Sequence, residues 1–254
     1  MMTDISITIV AYNNETDVRK AVCSILEHTA LSISKKIYIV DNSSEVNTLK
    51  ELDTLYPEVS YEKTPKNLGF GAGHNRVLAK LDSRFHAIVN PDILLTEDSL
   101  GILMRFLDEQ SAGMAIPRMV DEQGVQQKVC RRELTVFDMV IRHLPFGFGS
   151  RRAFHTMQDM DYTKPFPVPF AQGSFLVLRT ELFVRLEGFD ERFFMYVEDA
   201  DFCRRLNEID KLYYCPDTTV IHRWERASHK NTTLRREHFR SMLRYFRKWG
   251  WKLW

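Results

Sequence analysis

No stretch of the 254 residues approaches the ~20 consecutive apolar residues that a membrane-spanning helix needs. The first ten residues carry Asp4 and no basic segment ahead of a short apolar run, so a secretory leader is not expected. The four cysteines, Cys23, Cys130, Cys203 and Cys215, form no C-x-x-C pair. Their spacing argues against a zinc ribbon or a disulfide framework, and reduced thiols in a cytoplasmic protein are expected. A phosphate loop is missing, because no Gly-Lys-Ser/Thr follows the one glycine-rich segment. Internal repeats and low-complexity segments are also missing.

Net charge is nearly lacking at +1, but its distribution is uneven. Residues 223–254 hold ten basic against two acidic side chains, a net of +8, whereas residues 1–222 hold 25 against 32, a net of −7. An acidic body with a basic tail is a clue to partners.

Strands alternate with helices through the first half. The β-branched run at 5–11 reads as a buried strand. Asn14 caps a helix predicted over 15–27, with Val18, Val22, Ile25 and Leu26 on its inner face. Residues 36–40, 59–62 and 85–89 read as further strands. Helices are expected at 45–55, at 75–81 after the glycine-rich loop, and from about 97. This alternation implies a parallel sheet covered on both faces, with ligands beyond the carboxyl ends of its strands. Tyr12-Asn13, Asp41-Asn42-Ser43-Ser44 and Asn90-Pro91-Asp92 then share one rim. In the second half, 145–150 and 164–169 read as loops, 175–178 and 218–221 as strands, and 198–209 as a helix. A break between halves is expected near 115–130.

Each rim motif has a plain reading beside a chemical one. Asp41 and its neighbours suit a turn and helix cap, and equally a carboxylate placed to bind a base or ribose. The run Asn67-Leu68-Gly69-Phe70-Gly71-Ala72-Gly73-His74-Asn75-Arg76 lets a backbone approach a phosphate, but its G-x-G-x-G spacing is not a dinucleotide fingerprint. Asn90-Pro91-Asp92 is a turn, or a site where Asp92 offers oxygen to a hard cation. A lone histidine such as His222 is ordinarily structural; it becomes a ligand candidate if the fold brings it near Asp92.

The densest chemistry lies at 188–201, where five carboxylates alternate with aromatics. On a helix starting at 198, Glu198 and Asp201 share a face and Asp199 points elsewhere. The helix dipole accounts for one or two first-turn acids, but not for Asp190 and Glu191. A general base needs a carboxylate beside a substrate hydroxyl, and Asp199 is the candidate. The tail mixes Arg and Lys with Phe239, Leu243, Tyr245, Phe246, Trp249, Trp251 and Trp254. It suits an anionic membrane surface, with a helix packed on the core as the bland reading and nucleic acid as the third.

Taken in order, Val10-Ala11-Tyr12-Asn13, Asp41-Asn42-Ser43-Ser44, Asn67-Leu68-Gly69-Phe70-Gly71, Asn90-Pro91-Asp92, Gly173-Ser174-Phe175, Gly188-Phe189-Asp190-Glu191 with Phe194-Met195-Tyr196, Glu198-Asp199-Ala200-Asp201 and His222 carry a resemblance. Together they resemble the family 2 glycosyltransferases of the GT-A fold, and in particular bacterial rhamnosyltransferases of polysaccharide assembly. The resemblance implies an α/β, Rossmann-like, mostly parallel sheet flanked by helices. It places a catalytic domain over 1–230, with a nucleotide-binding half at 1–115 and an acceptor half at 116–230, before a basic aromatic helix at 231–254.

The resemblance also implies roles. Ala11, Tyr12, Asn13 and Asp41 hold the donor's nucleobase and ribose. Asn67, Gly69, Gly71 and Arg76 border the nucleotide and diphosphate. Asn90 and Asp92 stand at the D-x-D motif, with Asp92 and His222 holding Mg²⁺ or Mn²⁺. Asn90 departs from the pattern, because a neutral amide is a weaker ligand for a hard cation than a carboxylate. Asp199 is the base, with Glu198 beside it, and Gly173, Asp190, Glu191, Phe194 and Tyr196 line the acceptor pocket.

The expected reaction is inverting transfer of a sugar from a nucleotide-sugar donor, dTDP-β-L-rhamnose, to a polyprenyl-diphosphate-linked glycan. The expected setting is the inner face of the cell membrane, with the tail on anionic lipid and no nucleic acid as partner. The rivals are a sugar-nucleotide nucleotidyltransferase and a non-catalytic nucleotide or nucleic-acid binding module. The first should carry a basic phosphate signature near its first strand, and residues 9–14 hold no Lys or Arg; the acidic body and the carboxylates at 190–201 argue against the second.

Overall fold

The computed structural model describes residues 2–141, 147–223 and 232–254. Four strands open the chain: β1 (Thr3–Ala11), β2 (Lys35–Asp41), β3 (Val59–Lys63) and β4 (Ser83–Val89). They pair in parallel in the order β3-β2-β1-β4. β1 lies inside the sheet with Ile5, Ile7 and Ile9 fully buried, each side chain contributing ~2–3 kcal/mol. Its polar positions are paired: Ser6 Oγ lies 2.7 Å from His86 Nδ1 and 2.8 Å from Ser83 Oγ. Burial holds the His86 imidazole down at about 3, so it stays neutral. The flanking helix α1 (Glu15–His28) buries Val18, Val22 and Ile25, the face its spacing predicts.

The remaining strands make the sheet mixed. β5 (Ile93–Leu95), β6 (Met114–Val120), β8 (Phe166–Pro167), β10 (Phe175–Arg179) and β11 (Leu212–His222) extend it to β3-β2-β1-β4-β10-β6-β11-β5, with β8 beside β11. β10 is antiparallel to both β4 and β6, and β11 runs parallel to β6. The carboxyl ends of β1, β2, β4, β6 and β11 and the amino end of β10 therefore share one rim. A short pair, β7 (Cys130–Arg131) and β9 (Phe170–Ala171), stands apart.

Because β10 pairs with β4, one sheet and one large hydrophobic cluster run through both halves, and a boundary at 115/116 falls inside β6. The boundary at 230/231 and part of the loop expected at 145–150 lie outside the described residues. β11 begins six residues before the predicted strand. Pro216 hid its first half; a register shift between Cys215 and Thr219 lets the strand pass a residue that cannot donate to the ladder.

Two helices differ from expectation. Of 45–55, only α2 (Glu51–Leu55) is helical. The side chains of Asn13, Glu15 and Arg19 take the backbone groups of Ser44, Glu45 and Thr48 that a longer helix would use. α3 (Phe70–Asn75) starts within the glycine-rich run and ends where a helix was expected to begin. The other helices are α4 (Ser99–Gln110), α5 (Val136–Ile141), α6 (Gly149–His155), α7 (Thr180–Arg185), α8 (Glu198–Asn207) and α9 (Thr232–Trp249). The α9 face bearing Tyr245 and Phe246 is buried against Leu134, Phe193, Val197 and Ala200.

Candidate active site

The rim begins with the loops after β1 and β2. Asn13, in the left-handed region at φ 52°, donates its N–H to Ser43 Oγ at 2.9 Å, and its Oδ1 accepts from Ser44 and Glu45. Tyr12 is about half exposed beside it. Ala11 and Asp41 are fully buried beneath. Asp41 Oδ2 accepts from Asn47, Tyr61 and Lys63 at 2.9, 2.8 and 3.1 Å, and Oδ1 from the Ser43 N–H at 2.8 Å. These bonds outweigh its burial and hold its carboxyl at about 2. With its acceptors already engaged, Asp41 shapes the loop under the rim.

The glycine-rich segment meets the acidic loop. A Cβ on Gly69, which sits at φ 87°, would fall 2.1 Å from the Phe194 carbonyl oxygen, and one on Gly71 2.7 Å from Phe189 Cβ. Both glycines are therefore required by close packing. Asn67 Oδ1 accepts from the Gly69 N–H at 2.9 Å, which shapes the turn. Asn75 clamps Phe189 through both backbone groups and reaches Glu191 Oε1 at 3.1 Å. Arg76 pairs with Glu62, which Lys80 also contacts, on edge strand β3.

The centre of the rim links the turn after β4 to the acids of α8. The Asn90 N–H donates to the Ser174 carbonyl at 2.8 Å, and the neighbouring Gly173 N–H donates to Asp199 Oδ2 at 3.1 Å. Burial raises the Asp199 carboxyl, while N–H groups of Gly173 and Ala200 and the Arg131 charge pull it down; the net shift is upward. Glu198 is 5% exposed, and its Oε2 has no hydrogen-bond partner among the described residues. Burial and the Asp199 charge push it well above the carboxylate range. Both carboxyls are thus shifted upward, the buried Glu198 more strongly than the half-buried Asp199 beside it. Tyr196 and Val197, both at φ 68°, turn the chain sharply into α8. For a β-branched residue that conformation is strained, as at many functional loops.

Asp190 and Asp201 face away from this centre. Asp190 pairs with Arg192 and with Lys248 at 2.9 Å, which lowers its carboxyl strongly. Asp190, Glu191 and Lys248 line a separate cleft of about 550 Å³. The structure thus assigns Asp190 to holding α9, where the sequence put it in the acceptor pocket. Asp92 and His222 do meet: Asp92 Oδ2 lies 3.4 Å from His222 Nε2. One carboxylate oxygen and one imidazole nitrogen fit a divalent cation that completes its shell with diphosphate and water. No group of three or more His, Cys, Asp or Glu side chains that could hold a metal ion occurs among the described residues.

The glycosyl transferase family 2 model matches residues 6–186. The chain belongs to glycosyl transferase family 2. It is 28% identical over 240 residues to the N-acetylglucosaminyl-diphospho-decaprenol L-rhamnosyltransferase of Mycobacterium tuberculosis, covering 87% of this chain and 76% of that one. It is 27% identical over 225 residues to Rhamnosyltransferase WbbL of Escherichia coli, covering 83% and 81%. Among solved structures it superposes on S. aureus TarS with a TM-score of 0.61 at 18% identity, over 86% of this chain and 59% of that one. It superposes on the mannosyltransferase PcManGT of Pyrobaculum calidifontis, in complex with GDP-Man and Mn²⁺, with a TM-score of 0.67 at 14% identity, over 96% and 65%. The chain thus spans less than two thirds of either solved chain. These likenesses show the GT-A fold.

The protein is a glycosyltransferase similar to rhamnosyltransferases, and neither rival reading keeps its ground. One residue of this glycosyltransferase's site escaped the sequence reading. Arg131, on β7, acts on Asp199 by its charge and lines a cleft of about 490 Å³ together with Lys128 and His222. Its signal was faint, because a two-residue strand leaves no periodicity.

Proposed function

We propose that this glycosyltransferase transfers L-rhamnose from dTDP-β-L-rhamnose, with inversion, to a hydroxyl of a polyprenyl-diphosphate-linked sugar. The observation that carries the reading is the Glu198–Asp199 pair: a buried acid whose Oε2 has no hydrogen-bond partner among the described residues, beside a carboxyl oriented by the Gly173 N–H. Similarity to two rhamnosyltransferases, one of them named for a decaprenol-linked acceptor, supports the sugar and the acceptor class.

Asp199 takes the proton of the acceptor hydroxyl. The freed oxygen bonds to the anomeric carbon as that carbon's bond to the nucleoside diphosphate breaks, and the leaving diphosphate keeps the electron pair. Attack from the opposite face converts the β donor to an α-L-rhamnoside. Burial shifts Glu198 upward, toward the form that spares Asp199 the repulsion of a second charge. Asn13 and Tyr12 stand at the nucleotide end of the rim, above Ala11 and Asp41. Asp92 and His222 would hold Mg²⁺ or Mn²⁺, which supplies charge to stabilise a departing diphosphate.

No helix among the described residues is long and apolar enough to cross a membrane. We place the enzyme on the inner membrane face through the outer side of α9, where Arg235, Arg236 and Phe239 are exposed, followed by Trp251 and Trp254.

The test supplies purified enzyme with Mn²⁺, a polyprenyl-diphosphate-N-acetylglucosamine acceptor and a panel of nucleotide sugars. Rhamnosylated lipid from dTDP-β-L-rhamnose alone, with an α linkage by NMR, is the expected result. Transfer from a different donor, or a β-linked product, refutes the sugar or the stereochemistry respectively.

A further inference from the structure

Gln127 grips His222 at two points. Its side-chain N–H donates to the His222 backbone carbonyl at 2.7 Å, and its Oε1 lies 2.6 Å from His222 Nδ1. A backbone carbonyl only accepts, so the amide nitrogen must face it, and Oε1 is thereby turned toward the ring. Oε1 also only accepts, so Nδ1 must carry the hydrogen. In a neutral imidazole the remaining nitrogen, Nε2, then presents a lone pair. Nε2 faces Asp92 Oδ2 across 3.4 Å. Two lone pairs at that separation repel one another unless positive charge lies between them. Gln127 is itself anchored, because its backbone N–H donates to the Met119 carbonyl on β6 at 2.9 Å.

We propose that Gln127 is a positioning residue that fixes His222 in the Nδ1–H tautomer and so presents Nε2, beside Asp92, to a divalent cation. The proposal rests on the cation reading given above. No motif of the chain includes residue 127, and the loop that carries it follows a strand the sequence did not reveal. The arrangement is that of a ligating histidine whose outer nitrogen donates to a carbonyl oxygen, which sets both the ring's orientation and its basicity. It also offsets the departure at Asn90. With one carboxylate missing from the motif, the orientation of the histidine carries more of the cation's binding.

The test compares wild type, Gln127→Met, Gln127→Glu and His222→Ala, with thermal melts to confirm that each is folded. Histidine ¹⁵N spectra at pH about 8.5, about two units above the ordinary histidine pKa, report the His222 tautomer. Nδ1–H in wild type, lost in Gln127→Met and kept in Gln127→Glu, is expected. Nε2–H in wild type overturns the proposal. Mn²⁺ affinity, read from the electron paramagnetic resonance of the free ion, should fall about 10–100-fold in Gln127→Met. It should stay within a few-fold of wild type in Gln127→Glu. Unchanged affinity in Gln127→Met overturns the positioning role. Equal affinity in wild type and His222→Ala overturns the cation reading instead, and the tautomer spectrum then decides alone whether Gln127 sets the ring.

Discussion

Trp249 donates its indole N–H to Asp201 Oδ1 at 2.8 Å, and Lys248 of the same turn comes within 2.6 Å of the same oxygen. Asp201 is fully buried, and its other oxygen accepts from Arg205 at 2.9 Å. The basic tail is thus fastened to the helix that carries Asp199. Lys248 also reaches Asp190, and Ser241 Oγ donates to the Met195 carbonyl at 2.9 Å, so α9 holds the loop before Asp199 at several points.

Removing Lys248 leaves a buried carboxylate with less compensation. Lys248→Met is expected to lower unfolding stability by roughly 3 kcal/mol, read from urea denaturation. The double variant with Asp201→Asn should recover part of that loss. A loss under about 0.5 kcal/mol would mean the pair behaves as a solvated surface pair.

Asp199→Asn keeps the shape of the site and removes the proton acceptor. Transfer should fall by about 10²–10⁴-fold, with the donor dissociation constant unchanged in a binding titration. Near-normal turnover would remove Asp199 from the role of base.

The pH profile gives an independent check. A base is idle while protonated, and burial raises the Asp199 carboxyl above its ordinary range. Rate should therefore climb with pH through a midpoint above that of an ordinary aspartate and then level. The Arg131 charge pulls the same group down, so Arg131→Met should move the acidic limb to higher pH. A limb that stays in place, or moves down, contradicts the electrostatic link between β7 and α8.

The parts of the fold legible in the sequence were those built on long, uniform runs. β1 announces itself as a β-branched run, β2 and β4 as short strand-like segments, and α1 and α8 by spacing. What was hidden depended on partners far along the chain. β10 is antiparallel because it inserts between β4 and β6, which no local pattern states. The glycines at 69 and 71 read as room for a phosphate, yet the structure uses that room for Phe194 and Phe189. The acids at 190–201 read as one cluster, and they divide by neighbour: Asp190 and Asp201 hold the tail, while Glu198 and Asp199 meet Gly71 and Gly173. The tail read as one set of aromatic and apolar residues among basic ones, Phe239 and Phe246 included. Phe246 is buried with Tyr245 against Leu134, Phe193, Val197 and Ala200, whereas Phe239 is exposed.

Asp41 makes the loop after β2 sensitive to acid. Its carboxyl sits at about 2 against an ordinary 3.8, held there by Ser43, Asn47 and Tyr61. A depressed value contributes stability that is fully present above the unfolded value and fades as pH falls from about 4 toward 2. That contribution is about 2 kcal/mol. Asp41→Asn should flatten the acid limb of a stability-against-pH curve between those limits. An unchanged limb would mean that Asp41 does not contribute to acid sensitivity.

Membrane attachment is best tested without deleting the tail. Deletion would strip Tyr245, Phe246 and the Lys248–Trp249 anchor from the body, so weaker lipid binding would then report unfolding. Arg235 and Arg236 lie on the exposed side of α9 and can be changed without touching that anchor. Each basic residue near an anionic surface contributes ~1 kcal/mol, so Arg235→Ser with Arg236→Ser should weaken sedimentation with phosphatidylglycerol vesicles roughly thirty-fold. Phe239→Ser should weaken it further by removing an inserted aromatic, and added salt should weaken the wild type, because the charge term is screened. Melting temperature should not move in either variant. Equal sedimentation of wild type and variant with these vesicles would remove α9 from the membrane and leave it as a strap across the catalytic loop.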